Sequence, residues 1–222
     1  ARVNDDADVL LLAGDLTNWG TPAEMRVAVA ELAEVEVPIV AVLGNHDHES
    51  GHGAEVTSIL RDRGVHVLEG DIFELNERVG IAGAKGFMGG FGRRCLTAFG
   101  EAETKHFVTA SMDEVHKLEL ALRRLSTPIR IALLHYSPVV DTVVGEPEQI
   151  YPFLGTDRLL YNADTGRYTA EGSIRYQDAG MRIVAERAEG DHGQKQLPFR
   201  GPDSAPLHLA SRWSSSATVL AA

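Results

Sequence analysis

The chain has 222 residues, 44% of them hydrophobic and 24% charged, with a formal net charge of −11, an ordinary composition for a globular protein of one large domain. An acidic surface repels nucleic-acid phosphates and excludes general DNA or RNA binding, and no apolar run has the length of a membrane helix or the layout of a signal peptide. Cys95 is the only cysteine, which excludes an internal disulfide or a thiolate zinc cluster, fits a cytoplasmic location and reads as a small buried apolar residue.

Ala7 to Ala13, apolar but for Asp8, ends at Gly14 and predicts a buried strand of a parallel sheet. Thr21-Pro22-Ala23-Glu24 is a helix start, with a capping Thr, Pro at the first helical position and Glu three residues after the Thr, and the helix runs to about Val35. Pro38 to Leu43 is a second buried strand, and Ala54 to Arg63 a helix closed by Gly64. Short strands follow over Val65–Leu68, Ile72–Leu75 and Val79–Ala82. Lys85 to Gly100 is a glycine-rich loop. Glu101 to Ser126 is one long helix, with Val115, Leu118, Leu122 and Leu125 at helical spacing, and Ile129 to Leu134 is a further buried strand leading into His135. The fold class is α/β, a layered sheet arrangement flanked by helices. The character changes at about Leu160. The first part, residues 1–160, holds the layered domain; in 161–222 buried-strand runs disappear, and the end reads as a partly disordered tail.

Three strands end in polar residues: Gly14-Asp15-Leu16-Thr17-Asn18, then Gly44-Asn45-His46-Asp47, then His135-Tyr136-Ser137-Pro138. Ligands of open parallel sheets bind beyond the carboxyl ends of the strands, so these segments converge although they are far apart in sequence. A carboxylate, an amide oxygen and an imidazole on one edge form a mixed oxygen and nitrogen donor set suited to Mn, Fe or Zn. Each segment alone is an unremarkable turn; the combination is what points to chemistry. No Gly-x-Gly-x-x-Gly follows the first strand, which disfavours a Rossmann-type nucleotide binder.

Gly14-Asp15 with Asn18, then Gly44-Asn45-His46-Asp47, then His135 resemble, in order and spacing, the calcineurin-like metallophosphoesterases, and the resemblance covers about residues 1–160. It implies hydrolysis of phosphate mono- or diesters of small substrates by a metal-bound hydroxide at a site of two divalent ions. It implies Asp15 as the ligand shared by both ions, and Asn45 and His135 as ligands of one of them. His46 is then a catalytic residue near the leaving group, Asp47 a catalytic partner that orients its imidazole, and Asn18 a supporting hydrogen bonder. Lys85, Arg93 and Arg94 are expected to bind substrate, because their loop follows a strand and Arg matches phosphate bidentately.

Two elements of that family have no counterpart. The Asp-x-His segment belongs to a strand before Gly14-Asp15, and a β-α unit of on the order of 30 residues before Ala1 would carry it. No Gly-His-x-His segment follows His135; Gly190-Asp191-His192-Gly193 is the nearest, and it lacks the second imidazole. The expectation is therefore a partial metal site with weak metal binding and slow turnover. The alternative is a non-catalytic remnant of the fold that holds one ion or a phosphate.

Overall fold

The computed structural model describes residues 3–157 and, beyond them, the strand segments 160–162, 167–178, 181–191, 196–200 and 207–210. The chain divides into two compact units. Among the described residues the first comprises those up to Gly86 together with His116–Tyr136, and the second comprises Phe87–Val115 and those from Ser137 to Ala210.

In the first unit, a short helix α1 (Val3–Asp6) precedes β1 (Leu10–Ala13). Helix α2 (Pro22–Glu31) leads to β2 (Ile39–Val42), and α3 (Gly53–Asp62) to β3 (His66–Val67). These strands form a parallel sheet in the order β1-β2-β3. Strands β4 (Asp71–Glu74), β5 (Val79–Ala84) and β6 (Ile129–Leu134) form a second sheet in that order. Strand β4 runs antiparallel to β5, and β5 parallel to β6.

Burial explains the layering. Alternate residues of a strand point to opposite faces. Ile39 and Ala41 of β2 face Met25 of α2 and Val56 and Leu60 of α3, while Val40 and Val42 face Ile81 of β5 and Leu133 of β6. The two sheets therefore stack face to face, with α2 and α3 on the outside of the first. On the outside of the second lies the C-terminal half of α4 (Ala102–Arg124), where Ala121 and Leu122 are buried; Leu125, just past its end, is buried and covers Gly80.

Register sets up the site. Ala13 pairs with Val42, so the loops after β1 and β2 leave the first sheet side by side. Ala84 pairs with Leu134, so Lys85 and His135 leave the second sheet together. The α/β sandwich agrees with the sequence reading, with one difference. Strand β1 is shorter than the apolar run, and all its residues are partly exposed. It pairs with β2 alone among the described residues, so only one of its edges is covered.

The second unit holds residues 87–101, the N-terminal half of α4, and a segment with helix α5 (Tyr151–Leu154). Phe87 stacks edge-on to Phe107, and Phe91 to Tyr151. Beyond them β7 (Leu160–Asn162), β8 (Arg167–Asp178), β9 (Met181–Asp191), β10 (Gln196–Arg200) and β11 (Leu207–Ala210) form an antiparallel sheet. These strands fall where the sequence shows no continuous apolar run, because antiparallel strands can alternate. Along the sequence of β8, Tyr168, Ala170, Ile174 and Tyr176 alternate with Thr169, Glu171, Ser173 and Arg175. Among the described residues no helix is long and apolar enough to cross a membrane.

Candidate metal centre

Asp15, Asn45, His46 and His135 come from three loops of the first unit and meet beyond the ends of β1, β2 and β6. The approach of the first two loops requires glycine: a Cβ on Gly44 would collide with the Asp15 carboxylate and backbone. Asp15 has φ +51°, the one non-glycine residue with positive φ among the described residues. This left-handed backbone costs on the order of 1 kcal/mol or more and persists only where the surroundings enforce it. The enforcing contact is the amide of His46, which donates to Asp15 Oδ1 at 3.1 Å.

The donor set is oriented by its hydrogen bonds. His135 Nδ1 lies 2.9 Å from the carbonyl oxygen of Ala13, so Nδ1 carries the proton and donates. In the neutral ring Nε2 is then a bare lone pair. It lies 3.0 Å from Asn45 Oδ1 and 3.4 Å from Asp15 Oδ1. With the ring in that neutral form, a lone pair, an amide oxygen and a carboxylate oxygen converge. Three acceptors facing one another repel, and a cation at their centre converts that repulsion to coordination. A backbone carbonyl behind the distal nitrogen is the usual way a ligating histidine is fixed. The residues present therefore fit one divalent ion held by Asp15, Asn45 and His135. Among the described residues no three His, Cys, Asp or Glu side chains gather; the third donor here is the Asn45 amide. A second ion would keep Asp15 alone among the described residues.

His46 is exposed, and its Nδ1 donates to the carbonyl of Asn18 at 2.8 Å, leaving Nε2 free. That bond raises the imidazole above its ordinary pKa, and the Asp15 charge raises it further. Asn18 thus supports the ring through its backbone.

Asp47 has a different role from the one expected of it. It is fully buried, and its carboxylate accepts from the amides of Leu16, Thr17 and Gly44 and from the Thr17 hydroxyl at 2.8 to 3.3 Å. These bonds direct it into the loop backbone, where it ties the Asp15 loop to the Asn45 loop, rather than onto the imidazole. The anchor Thr17, 7% exposed, is legible in the sequence only as a residue between Asp15 and Asn18.

Lys85 belongs to the same unit, with its ammonium 5.2 Å from the Tyr136 ring centroid and 3.0 Å from the Gly86 carbonyl. Tyr136 packs edge-on to His135 at 5.1 Å. Burial raises its phenol pKa, and the Asp15 charge adds to that. The sequence quotes Tyr136 beside His135 without giving it a role. Arg93 and Arg94 belong to the second unit, in a 3-10 turn over Gly92–Arg94, where Arg94 pairs with Glu148 at 2.9 Å. Cys95 is half-buried and polar in its contacts. Its thiol donates to the Gly90 carbonyl at 2.8 Å and lies 3.3 Å from the Asp157 carboxylate, in place of the apolar setting expected. His192 lies outside the described residues.

A stretch of 39 residues is 56% identical to the LPS-assembly protein LptD of Xanthomonas euvesicatoria pv. vesicatoria (strain 85-10), covering 18% of this chain and 5% of that protein. The LPS-assembly protein LptD of Xylella fastidiosa (strain 9a5c) is 49% identical over 39 residues, with the same coverage. The chain spans about one twentieth of the length of these relatives. The model of the calcineurin-like phosphoesterase family matches residues 1–163, well over half of the chain and all three loops that build the centre, so the chain belongs to the calcineurin-like phosphoesterases.

Proposed function

We propose that this protein hydrolyses phosphate mono- or diesters with a divalent metal held by Asp15, Asn45 and His135. The observation that carries the reading is the convergence of those three acceptors, with the distal nitrogen of His135 committed to a backbone carbonyl. A divalent ion bound there supplies Lewis-acid polarisation of a phosphoryl oxygen and acidifies water. The chain's own groups do the rest. The His46 amide holds the Asp15 carboxylate toward the centre. The His46 ring, fixed by Asn18, presents Nε2 to the leaving oxygen and gives it a proton. Its raised pKa keeps a larger share of the ring protonated for that step. Asn45 adds an oxygen ligand without negative charge, which suits an anionic substrate in a chain of net charge −11. In the family's two-ion arrangement a second ion would share Asp15, and the described residues give it no other ligand.

The alternative, a module that holds an ion or a phosphate without turnover, differs in one measurable respect. Hydrolysis of 4-nitrophenyl phosphoesters is followed with added Mn²⁺ or Zn²⁺ and with a chelator. Metal-dependent turnover that falls by at least about 100-fold in Asp15→Ala and His135→Ala is expected, since both remove a ligand. Metal binding without turnover would support the alternative. Participation in lipopolysaccharide assembly, suggested by the relatives' name, rests on 39 residues and has no site residue behind it.

A further inference from the structure

Beside the metal centre stands a large aromatic residue that the mechanism above does not use. Trp19 is 65% exposed, and among the described residues no ring or cation lies against its indole. Such exposure usually marks a loose loop, yet this loop is fixed on both sides of the residue. The Trp19 amide donates to Glu24 Oε2 at 3.2 Å, and the Gly20 amide to the Thr17 hydroxyl at 3.1 Å. The Ser50 hydroxyl donates to the Gly20 carbonyl at 2.7 Å. Gly20 has φ +64°, and a Cβ there would lie 2.6 Å from the Asp47 carbonyl oxygen and 2.8 Å from that of His46. The turn after Trp19 is therefore pressed against the backbone of the catalytic loop.

Its distance from the chemistry follows from covalent geometry. The Asn18 carbonyl that accepts from His46 Nδ1 at 2.8 Å is part of the peptide joining Asn18 to Trp19. In a trans peptide that oxygen is about 3 Å from the next Cα, so the Trp19 Cα lies within about 6 Å of the His46 ring. An indole is long enough to reach from there, on the Nδ1 edge of the ring, past the imidazole toward the Nε2 edge where a leaving group would depart. An ion held by Asp15, Asn45 and His135 would bind the phosphoryl group, but the chain is strongly acidic, and its overall field opposes an anionic ester. A rigid aromatic platform supplies affinity that does not depend on charge.

We propose that Trp19 is a specificity-determining residue, its indole the platform on which the leaving group lies, and that the substrate is a phosphoester whose leaving alcohol carries a planar aromatic ring. The proposal rests on the hydrolase reading. A phenol and a nucleoside both supply such a ring, and the test separates them.

The full chain with Mn²⁺ is assayed on phenyl phosphate, adenosine 5′-monophosphate and glycerol 2-phosphate. The preference for the aromatic esters over glycerol 2-phosphate, as a ratio of kcat/KM, should fall roughly 5- to 100-fold in Trp19→Ala, the range for losing one stacking partner. It should be largely restored in Trp19→Phe. The ester with the larger loss identifies the ring. An unchanged ratio, or an equal loss on all three esters, overturns the proposal. Absence of turnover on every ester would count against the hydrolase reading instead. The platform is then read by fluorescence in a Trp213→Phe background. Saturable quenching of Trp19 by the aromatic phosphates and not by glycerol 2-phosphate is the expected result, and no such difference overturns it.

Discussion

His46 and Asp47 are consecutive, yet their environments set opposite tasks. His46 is exposed and held by one bond to the Asn18 carbonyl. Asp47 is fully buried and accepts four hydrogen bonds from two loops. Removing a buried acceptor leaves its donors unpaired, at about 1–3 kcal/mol for each buried group stranded. Asp47→Ala should therefore lower stability by at least about 3 kcal/mol in urea unfolding and weaken metal binding, because both ligand loops lose their tie. His46→Asn should leave the urea midpoint unchanged, retain metal, and reduce turnover by roughly 10²–10⁴-fold, the range for losing an acid–base group. Near-wild-type turnover in His46→Asn would remove its catalytic role. A stable Asp47→Ala would show that water replaces the carboxylate.

Helix α2 shows how an element's start serves the site. Thr21 accepts from the Glu24 amide, and Glu24 accepts from the Thr21 amide, a reciprocal capping box. Glu24 also takes the Trp19 amide, so the cap extends into the loop that carries Asn18. Thr21→Ala should cost about 1 kcal/mol. The Glu24 pKa is lowered, first by the Thr21 amide; burial opposes this, and the Thr21 hydroxyl and the Trp19 amide add to the lowering. Since the folded pKa is depressed, the contribution of Glu24 is present above its unfolded value of 4.5 and is lost as pH falls through the folded value. The stability gap between wild type and Glu24→Gln should accordingly narrow as pH falls below about 4.5; a gap of constant size across that fall would assign the effect to shape alone.

This cap was readable from four residues, because capping is local. So were the strand ends that carry Asp15, Asn45 and His135, because glycine and a polar residue after an apolar run mark a loop. What was not readable depended on tertiary partners. Asp47 reads as a neighbour of His46 until the Thr17 and Gly44 amides are placed around it. Leu10 to Leu12 read as an interior strand until the pairing shows one edge uncovered. Cys95 reads as apolar until Gly90 and Asp157 are seen beside it, and the alternating strands β8 and β9 carry no continuous run to read.

At the scale of the whole chain, metal and fold should be one equilibrium. The three ligands sit on loops from both stacked sheets, so an ion that binds only the folded arrangement stabilises all of it by RT ln(1 + [M]/Kd). At a hundredfold excess over Kd this is about 2.7 kcal/mol, and for a chain of this size it should raise Tm by roughly 5–10 °C. The donor set limits how many ions contribute. Asp15, Asn45 and His135 account for one, and the described residues give a second nothing beyond Asp15. After dialysis against Mn²⁺ and then metal-free buffer, elemental analysis should return at most one ion per chain. The Tm rise should follow a single-site titration and vanish in a doubly substituted Asp15→Ala, His135→Ala chain. Two tightly held ions would show that further ligands complete the centre, and substitution of His192 would be the first way to find one. A Tm rise that survives in the double variant would place the ion elsewhere in the molecule and detach the acceptor cluster from metal binding.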